Sequence, residues 1–295
     1  MRTAVRLFLV VAAVVALWPI APEAWGMDVH RLLTARALDG LPPPLRQFYA
    51  TRRAFVVEHS VDPDLWRVAD LRSALGPEDP NHFLDIDDLD EPAPFARVPR
   101  EWPAFLARYG ETRANRAGRL PWRTVEIYDR LVAAFKSTGS GTAPYAADNA
   151  RYLSAVIAHY IGDSFQPFHA VANYDGQLTN QRGVHSRFET ELVRRYWSKL
   201  THRPVVITPV ADVKSFVFAT VVEGAALAPG LLAGDKKAAN GRTDYDDGYY
   251  ERFYREVRPV LEARLAGSAS GTASVLVAAW TEAGRPSLTA PPRSR

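Results

Sequence analysis

The side chains able to do chemistry crowd into one stretch of this 295-residue chain, His159 to Glu189. His159 and Asp163 stand four residues apart, as do His185 and Glu189, and His169 lies in the segment between them. On a helix, residues four apart share a face, so each pair would set an imidazole beside a carboxylate. Zinc accepts both ligand types, and two such pairs with a further histidine offer donors for more than one ion. An isolated histidine followed by an acid is also an ordinary helix-surface pair. The concentration favours metal: three of the seven histidines fall here, two of them with an acid four residues on.

These side chains must be carried by helices. Apolar spacing predicts helices over His30 to Leu41, stopped by Pro42 to Pro44, and over Leu45 to Glu58, with His59 a bystander at the end. Asp62 before Pro63 reads as a helix cap with proline at the first helical position, and Asp64 as either an acid favoured in a first turn or a ligand. Five prolines break residues 92–121, leaving a short helix around Ala104. An amphipathic helix over Trp122 to Phe135 follows, with Ser137 to Thr142 a flexible connection inside one domain. Beyond Glu189 the helix is expected to run to Lys199 and give way to an extended Val205 to Val210. Helices resume over Val213 to Leu227, Tyr245 to Leu265 and Ser270 to Ala283, the first two separated by a Gly/Lys/Asn-rich loop. The whole is expected to be all-α, a single-domain bundle of many helices.

The run H-Y-I-G-D-S-F-Q-P-F-H, followed by G-V-H-S-R-F-E, resembles the trinuclear zinc hydrolases that unite the bacterial zinc-dependent phospholipases C with the S1/P1 nucleases. Both branches share H-x-x-G-D-x-x-Q-P-x-H, and the resemblance extends over most of the chain from Trp25. It implies a helical bundle of the phospholipase C/P1 nuclease type holding three zinc ions. The first would take Asp64, His82, His159 and Asp163, and the second His169, His185 and Glu189. The third would take the amino group and carbonyl of Trp25, with His30 and Asp163, so that Asp163 bridges two ions. Asp64 would also orient the attacking water. Asn81-His82-Phe83 is similar to the family's H-F step, while Val29 stands where many nuclease members carry glycine before their histidine. Asp85 offers an acceptor for a ligand imidazole. Together with Asp87, Asp88 and Asp90 it forms an acidic run that lacks the glycine and closing glutamate of an EF-hand.

Arg2 and Arg6, the apolar run Leu7 to Trp18, Pro19 and the small residue Ala24 have the layout of a secretory leader, with an apolar run too short to span a membrane. The expected organisation is a leader over 1–24, a catalytic domain over 25–285 and a frayed tail over 286–295. Without the leader, 34 basic and 32 acidic residues remain, a formal charge of +2, so the composition makes no case for nucleic acid and supports only weak steering of a polyanion. The chain has no cysteine, which removes disulfides and lipid anchoring and leaves the core and bound metal to hold an exported protein together. A secreted or periplasmic protein is expected, with transient membrane-surface contact and no stable protein partner.

Other chemistries lack their motifs. Gly162-Asp163-Ser164 begins like a Gly-Asp-Ser lipase motif but sits within a helical pattern, and neither a G-x-S-x-G elbow nor a P-loop occurs. The substrate cues divide. W-G-x-x-x-H spacing looks like the nuclease branch, which yields 5′-nucleotides from single-stranded DNA or RNA. The short interval from His169 to His185, Glu189 as last ligand and the lack of cysteine resemble the phospholipase branch, which is favoured. Phe168 and Tyr174 are candidates to line a cleft for a headgroup or base, Phe165 reads as helix packing, and Asp28 as a surface acid. A zinc-stapled helical binding protein without turnover is the remaining alternative, against which Asp64 argues, since a closed structural site needs no water-directing acid.

Overall fold

A computed structural model describes residues 26–68, 77–138 and 143–288. The expected leader, Trp25, most of the 137–142 connection and the tail beyond residue 288 lie outside the described residues. The helices are α1 Met27–Asp39, α2 Pro43–Ala50, α3 Arg53–His59, α4 Asp62–Val68, α5 Trp102–Tyr109, α6 Glu111–Ala117, α7 Leu120–Thr138 and α8 Ala146–Ser164. They are followed by α9, made of Val184–Ser186, a π turn Arg187–Glu191 and Leu192–Tyr196, and then by α10 Val213–Ala239 and α11 Asp247–Glu282. No strand occurs among the described residues, and the fold is all-α.

Helix α8 is the axis of the bundle. Every residue from Ser154 to Ser164 is buried, the pattern of a helix enclosed on all sides, and α1, α3, α4, α7, α10 and α11 all pack on it. Alongside it, α7 buries Leu120, Thr124, Ile127, Tyr128, Leu131 and Phe135 at three- and four-residue intervals, one apolar stripe turned to one neighbour. Helix α10 is long and apolar enough to cross a membrane by length and composition alone, yet its Val217, Phe218, Val221 and Leu231 are buried in the bundle.

Several boundaries differ from expectation for identifiable reasons. The single helix expected over Leu45 to Glu58 is two, α2 and α3, turned so that Arg53 reaches Asp39 at 2.7 Å. Asp62 is the first helical residue of α4, and its carboxylate meets His59 at 2.8 Å and the Tyr152 hydroxyl at 3.1 Å. Val205 to Val210 runs without regular structure against α11, where Ser270 and Ser274 hydroxyls accept the Val206 and Thr208 N–H groups. The expected stop near Leu227 is absent because Pro229, whose missing N–H and bulk would break an enclosed helix, lies on the exposed side of α10. Nor does Gly267-Ser-Ala-Ser-Gly271 interrupt α11. A Cβ at Gly267 or Gly271 would come within 2.5 or 2.8 Å of the Phe165 ring, so these glycines let the helix approach α8, outweighing their poor intrinsic propensity.

Candidate metal centre

Six elements deliver eight side chains to one end of α8. His159 and Asp163 come from α8 itself, His30 from α1, Asp64 from the first turn of α4, and His82 from the residue after the 3-10 turn Asp79–Asn81. His169 comes from the 3-10 turn Pro167–Ala170, and His185 and Glu189 from α9. All eight are at most 6% exposed.

Asp163 is the hub. Its carboxylate lies 3.5 Å from His30 Nε2, 3.0 Å from His82 Nδ1, 3.2 Å from His159 Nε2 and 3.4 Å from His169 Nδ1. Asp64 Oδ1 stands 3.8 Å from His82 Nδ1 and 3.9 Å from His159 Nε2. On α9, His185 Nε2 is 3.0 Å from Glu189 Oε2. Three groups result, each with its ligand atoms within 4.8 Å of one another: His30, His159 and Asp163; Asp64, His82 and His159; and His169, His185 and Glu189. His59 and His202 stay outside, the former against Phe55 and Tyr152, the latter against Trp197.

The placement of His30 depends on Gly162. The His30 and His159 rings stack with centroids 3.9 Å apart, and a Cβ on Gly162 would lie 3.0 Å from two atoms of the His30 ring. Glycine in mid-helix costs roughly 1 kcal/mol relative to alanine; here it gives the imidazole its place over α8.

A further layer of groups orients the ligand atoms. The Ser60 carbonyl accepts from His159 Nδ1 at 2.9 Å, which leaves the Nε2 lone pair facing the cluster. Gln166 donates to Glu189 Oε2 at 2.7 Å and accepts the Phe168 N–H at 3.1 Å. Behind His82, Glu78 Oε1 is 3.8 Å from Nε2 and receives the Tyr160 hydroxyl at 2.5 Å. Glu78, not Asp85, is thus the carboxylate that lies behind His82, at a separation too long for a hydrogen bond. Burial, then Asp87 and Asp88, push Asp85 up to about 8, a setting for a protonated carboxyl among acids rather than for an imidazole's acceptor. Arg67 pairs with Asp64 across 3.4 Å. Gln166, Glu78 and Arg67 are absent from the residues expected at the site. Their signals were the Q-P-x-H motif, an acid four residues before His82 and a base three after Asp64.

Charge in the cluster is set by one carboxylate serving several imidazoles. Burial opposes charging His159, but Asp163 and Asp64 outweigh it and carry the imidazole up to about 9. Burial and then His159 lower His30, while burial lowers His169 well below the usual histidine range. Burial would raise Asp163, yet His159 and His169 prevail and hold it well below the carboxylate range. A cation entering here displaces protons from nitrogen, so its affinity falls with acidity.

Of the aromatic candidates, Phe168 is fully buried, edge-on to Phe188 and 5.9 Å from the His185 ring. It backs the histidine instead of facing an open cleft. Tyr174 is 42% exposed with its ring 6.2 Å from that of His185. Asp28 is a surface acid paired with Arg31 at 3.2 Å.

The donor set fits metal. His30 Nε2, both Asp64 oxygens, Asp163 Oδ1, His169 Nδ1 and both His185 nitrogens are buried without a hydrogen bond. Each such group costs about 1–3 kcal/mol if nothing meets it. Many of these atoms approach one another yet are misaligned for hydrogen bonding, as lone pairs converging on common points would be. Two ligands about 2.0–2.1 Å from a tetrahedral zinc stand roughly 3.3 Å apart, close to the 3.0 to 3.5 Å separations around Asp163.

The fold has a counterpart among solved structures. Clostridium perfringens alpha-toxin, from an avian strain, superposes with a TM-score of 0.52 at 14% identity, over 90% of this chain and 66% of the toxin. The alpha toxin of Clostridium absonum gives 0.46 at 13% identity, over 88% of this chain and 65% of that one. The chain thus spans just under two thirds of the toxins' length. The first of these likenesses defines the class by architecture: an all-α bundle with the fold of the C. perfringens toxin, here with a buried histidine–carboxylate cluster at one end of α8. No family model matches the chain. A Bradyrhizobium tropiciagri protein described as a probable serine protease is 28% identical over 166 residues, 40% of this chain and 19% of that protein. Ser164, the serine of Gly-Asp-Ser, is buried and donates to the Ile161 carbonyl within its own helix, an unsuitable setting for a nucleophile.

Proposed function

We propose that this chain is an exported, zinc-dependent phosphoric ester hydrolase that removes phospholipid headgroups in the manner of a phospholipase C. The observation that carries the reading is the convergence of buried imidazoles and carboxylates on Asp163, with Asp64 at the edge of the same cluster. His159, His82, Asp64 and Asp163 would hold one zinc, His169, His185 and Glu189 a second, and His30 and Asp163 with Trp25 a third. Zinc held there would lower the pKa of a water toward neutrality and would offset charge on the phosphoryl oxygens. Asp64 orients the attacking water and accepts its proton. Ser60 fixes the His159 tautomer, Gln166 holds Glu189, and Tyr174 borders the opening where a headgroup enters.

Two consequences can be measured. Gly162→Ala should leave helix content unchanged while displacing His30, weakening binding of one zinc by ~10–100-fold, the range for lost ligand orientation; titration against a chromogenic chelator reads this, and parent-like affinity would remove His30 from the site. For the activity itself, the zinc-loaded protein is offered phosphatidylcholine and single-stranded DNA together, with a chelated control, and the products are weighed. Diacylglycerol and phosphocholine are expected. Nucleotides with 5′-phosphate would establish the nuclease reading instead, which the W-G-x-x-x-H spacing of Trp25 to His30 favours. Neither product from a zinc-replete sample would leave a binding protein.

A further inference from the structure

Between His185 and Glu189 the helix does not keep its regular winding. Residues Arg187–Glu191 form a π turn in which the Leu192 N–H donates to the Arg187 carbonyl, five residues back. Such one-turn bulges are rare and occur mostly where an extra residue serves a site. If this one relaxed to α-helix, everything on one side of it would rotate by ~100°, the angle of one residue. His185, Phe188 and Glu189 on one side and Leu192 and Val193 on the other are all buried, so relaxation would turn one set out of the core. Regular helix was expected through this stretch, and only a contact from outside α9 can set the register.

Beside the Gln166 hydrogen bond to Glu189, Arg187 makes the more extensive such contact. Its guanidinium is 6% exposed and donates to Asp235 on α10 at 3.0 and 3.2 Å, to the Tyr249 hydroxyl on α11 at 3.0 Å, and to the Gln181 and Arg182 carbonyls at 3.1 and 2.8 Å. The Tyr245 ring covers its face at 3.8 Å. Asp235, 1% exposed, also takes the Gln181 amide at 2.6 Å and the Tyr249 hydroxyl. At Gly183, where φ is 85°, a Cβ would lie 2.8 Å from Arg187 Nη1. These partners lie on the loops before α9 and α11, on α10 and on α11, and none belongs to α1, α4, α8 or the turn before His82, which carry the groups built on His159. Burying such a pair costs desolvation that an apolar pair would avoid, so its return here is position.

We infer that the Arg187–Asp235 pair is a positioning device for the His169, His185 and Glu189 group alone, which makes the zinc held there separately removable from the others. The inference rests on the metal reading above. Arg187→Lys keeps the charge but not the planar fork, and Arg187→Met with Asp235→Leu replaces the pair by apolar side chains that preserve folding. Glu91→Gln serves as control, weakening a different ion-pair cluster, in which the buried Glu91 carboxylate meets the exposed Arg97 and Arg108. Zinc per chain is measured by mass spectrometry after loading and gel filtration, with melting and helix content followed in parallel. Both Arg187 variants should lose one equivalent relative to the parent and keep the remainder, while Glu91→Gln loses none. Variants that match the parent's zinc overturn the inference and leave the metal reading standing. So does a loss that Glu91→Gln shares in proportion to its fall in melting temperature, since the effect would then be general destabilisation. A parent chain that takes up no zinc defeats the metal reading itself and this inference with it.

Discussion

Replacing Asp163 by asparagine is expected to empty two of the three groups and abolish turnover. The carboxylate stands within 3.5 Å of four imidazoles contributed by four different segments. Asparagine keeps the shape but removes the negative charge and one of the two acceptor oxygens. Loss of a mere orienting partner costs ~10–100-fold in metal affinity, and Asp163 is proposed as a ligand to two ions, so its loss should exceed that range at both. Equilibrium dialysis against zinc, with helix content as a folding check, measures it. Retention of the parent's zinc content by Asp163→Asn would show that the imidazoles hold the ions without their hub and would sink the bridging assignment.

Asp64→Asn should behave differently. Asp64 lies at 3.8 to 3.9 Å from His82 and His159, farther from the imidazoles than Asp163, and faces Arg67 on its other side. As the residue that directs the water, it should lower kcat by ~10²–10⁴, the contribution of a positioned acid–base group, with KM nearly constant and the His185 group fully loaded. Steady-state kinetics on a phosphodiester substrate, with zinc measured on the same sample, separates the roles. An unchanged kcat would make Asp64 a structural acid of the α4 first turn and move the water-directing role to another residue.

The contrast between these two aspartates marks what local pattern can convey. His159 and Asp163 share a helix face, and that follows from their four-residue spacing alone. The all-α class, the existence of α1, α7 and α8 and the packing role of Phe165 were legible for the same reason, because apolar periodicity and proline stops act between near neighbours. The break expected around Gly267 in α11 and the stop before Pro229 in α10 are absent, since the effect of each residue depends on what lies opposite: a Phe165 ring in one case, solvent in the other. The π turn at Arg187 and the choice of Glu78 over Asp85 behind His82 were invisible for the same cause.

By itself, then, the sequence determined the helical class, the concentration of ligand-type side chains and the pairings within a turn. Only the tertiary structure decided that His30, Asp64 and His82 converge on Asp163, and that His30 Nε2, both Asp64 oxygens, Asp163 Oδ1 and His169 Nδ1 are buried there without a hydrogen bond. His82 and Asp163 are 81 residues apart, a separation on which no helical period acts. What closes it is the burial of α8 by its neighbours, and the charge of the cluster follows from that burial: one carboxylate, out of reach of water, shared among four imidazoles.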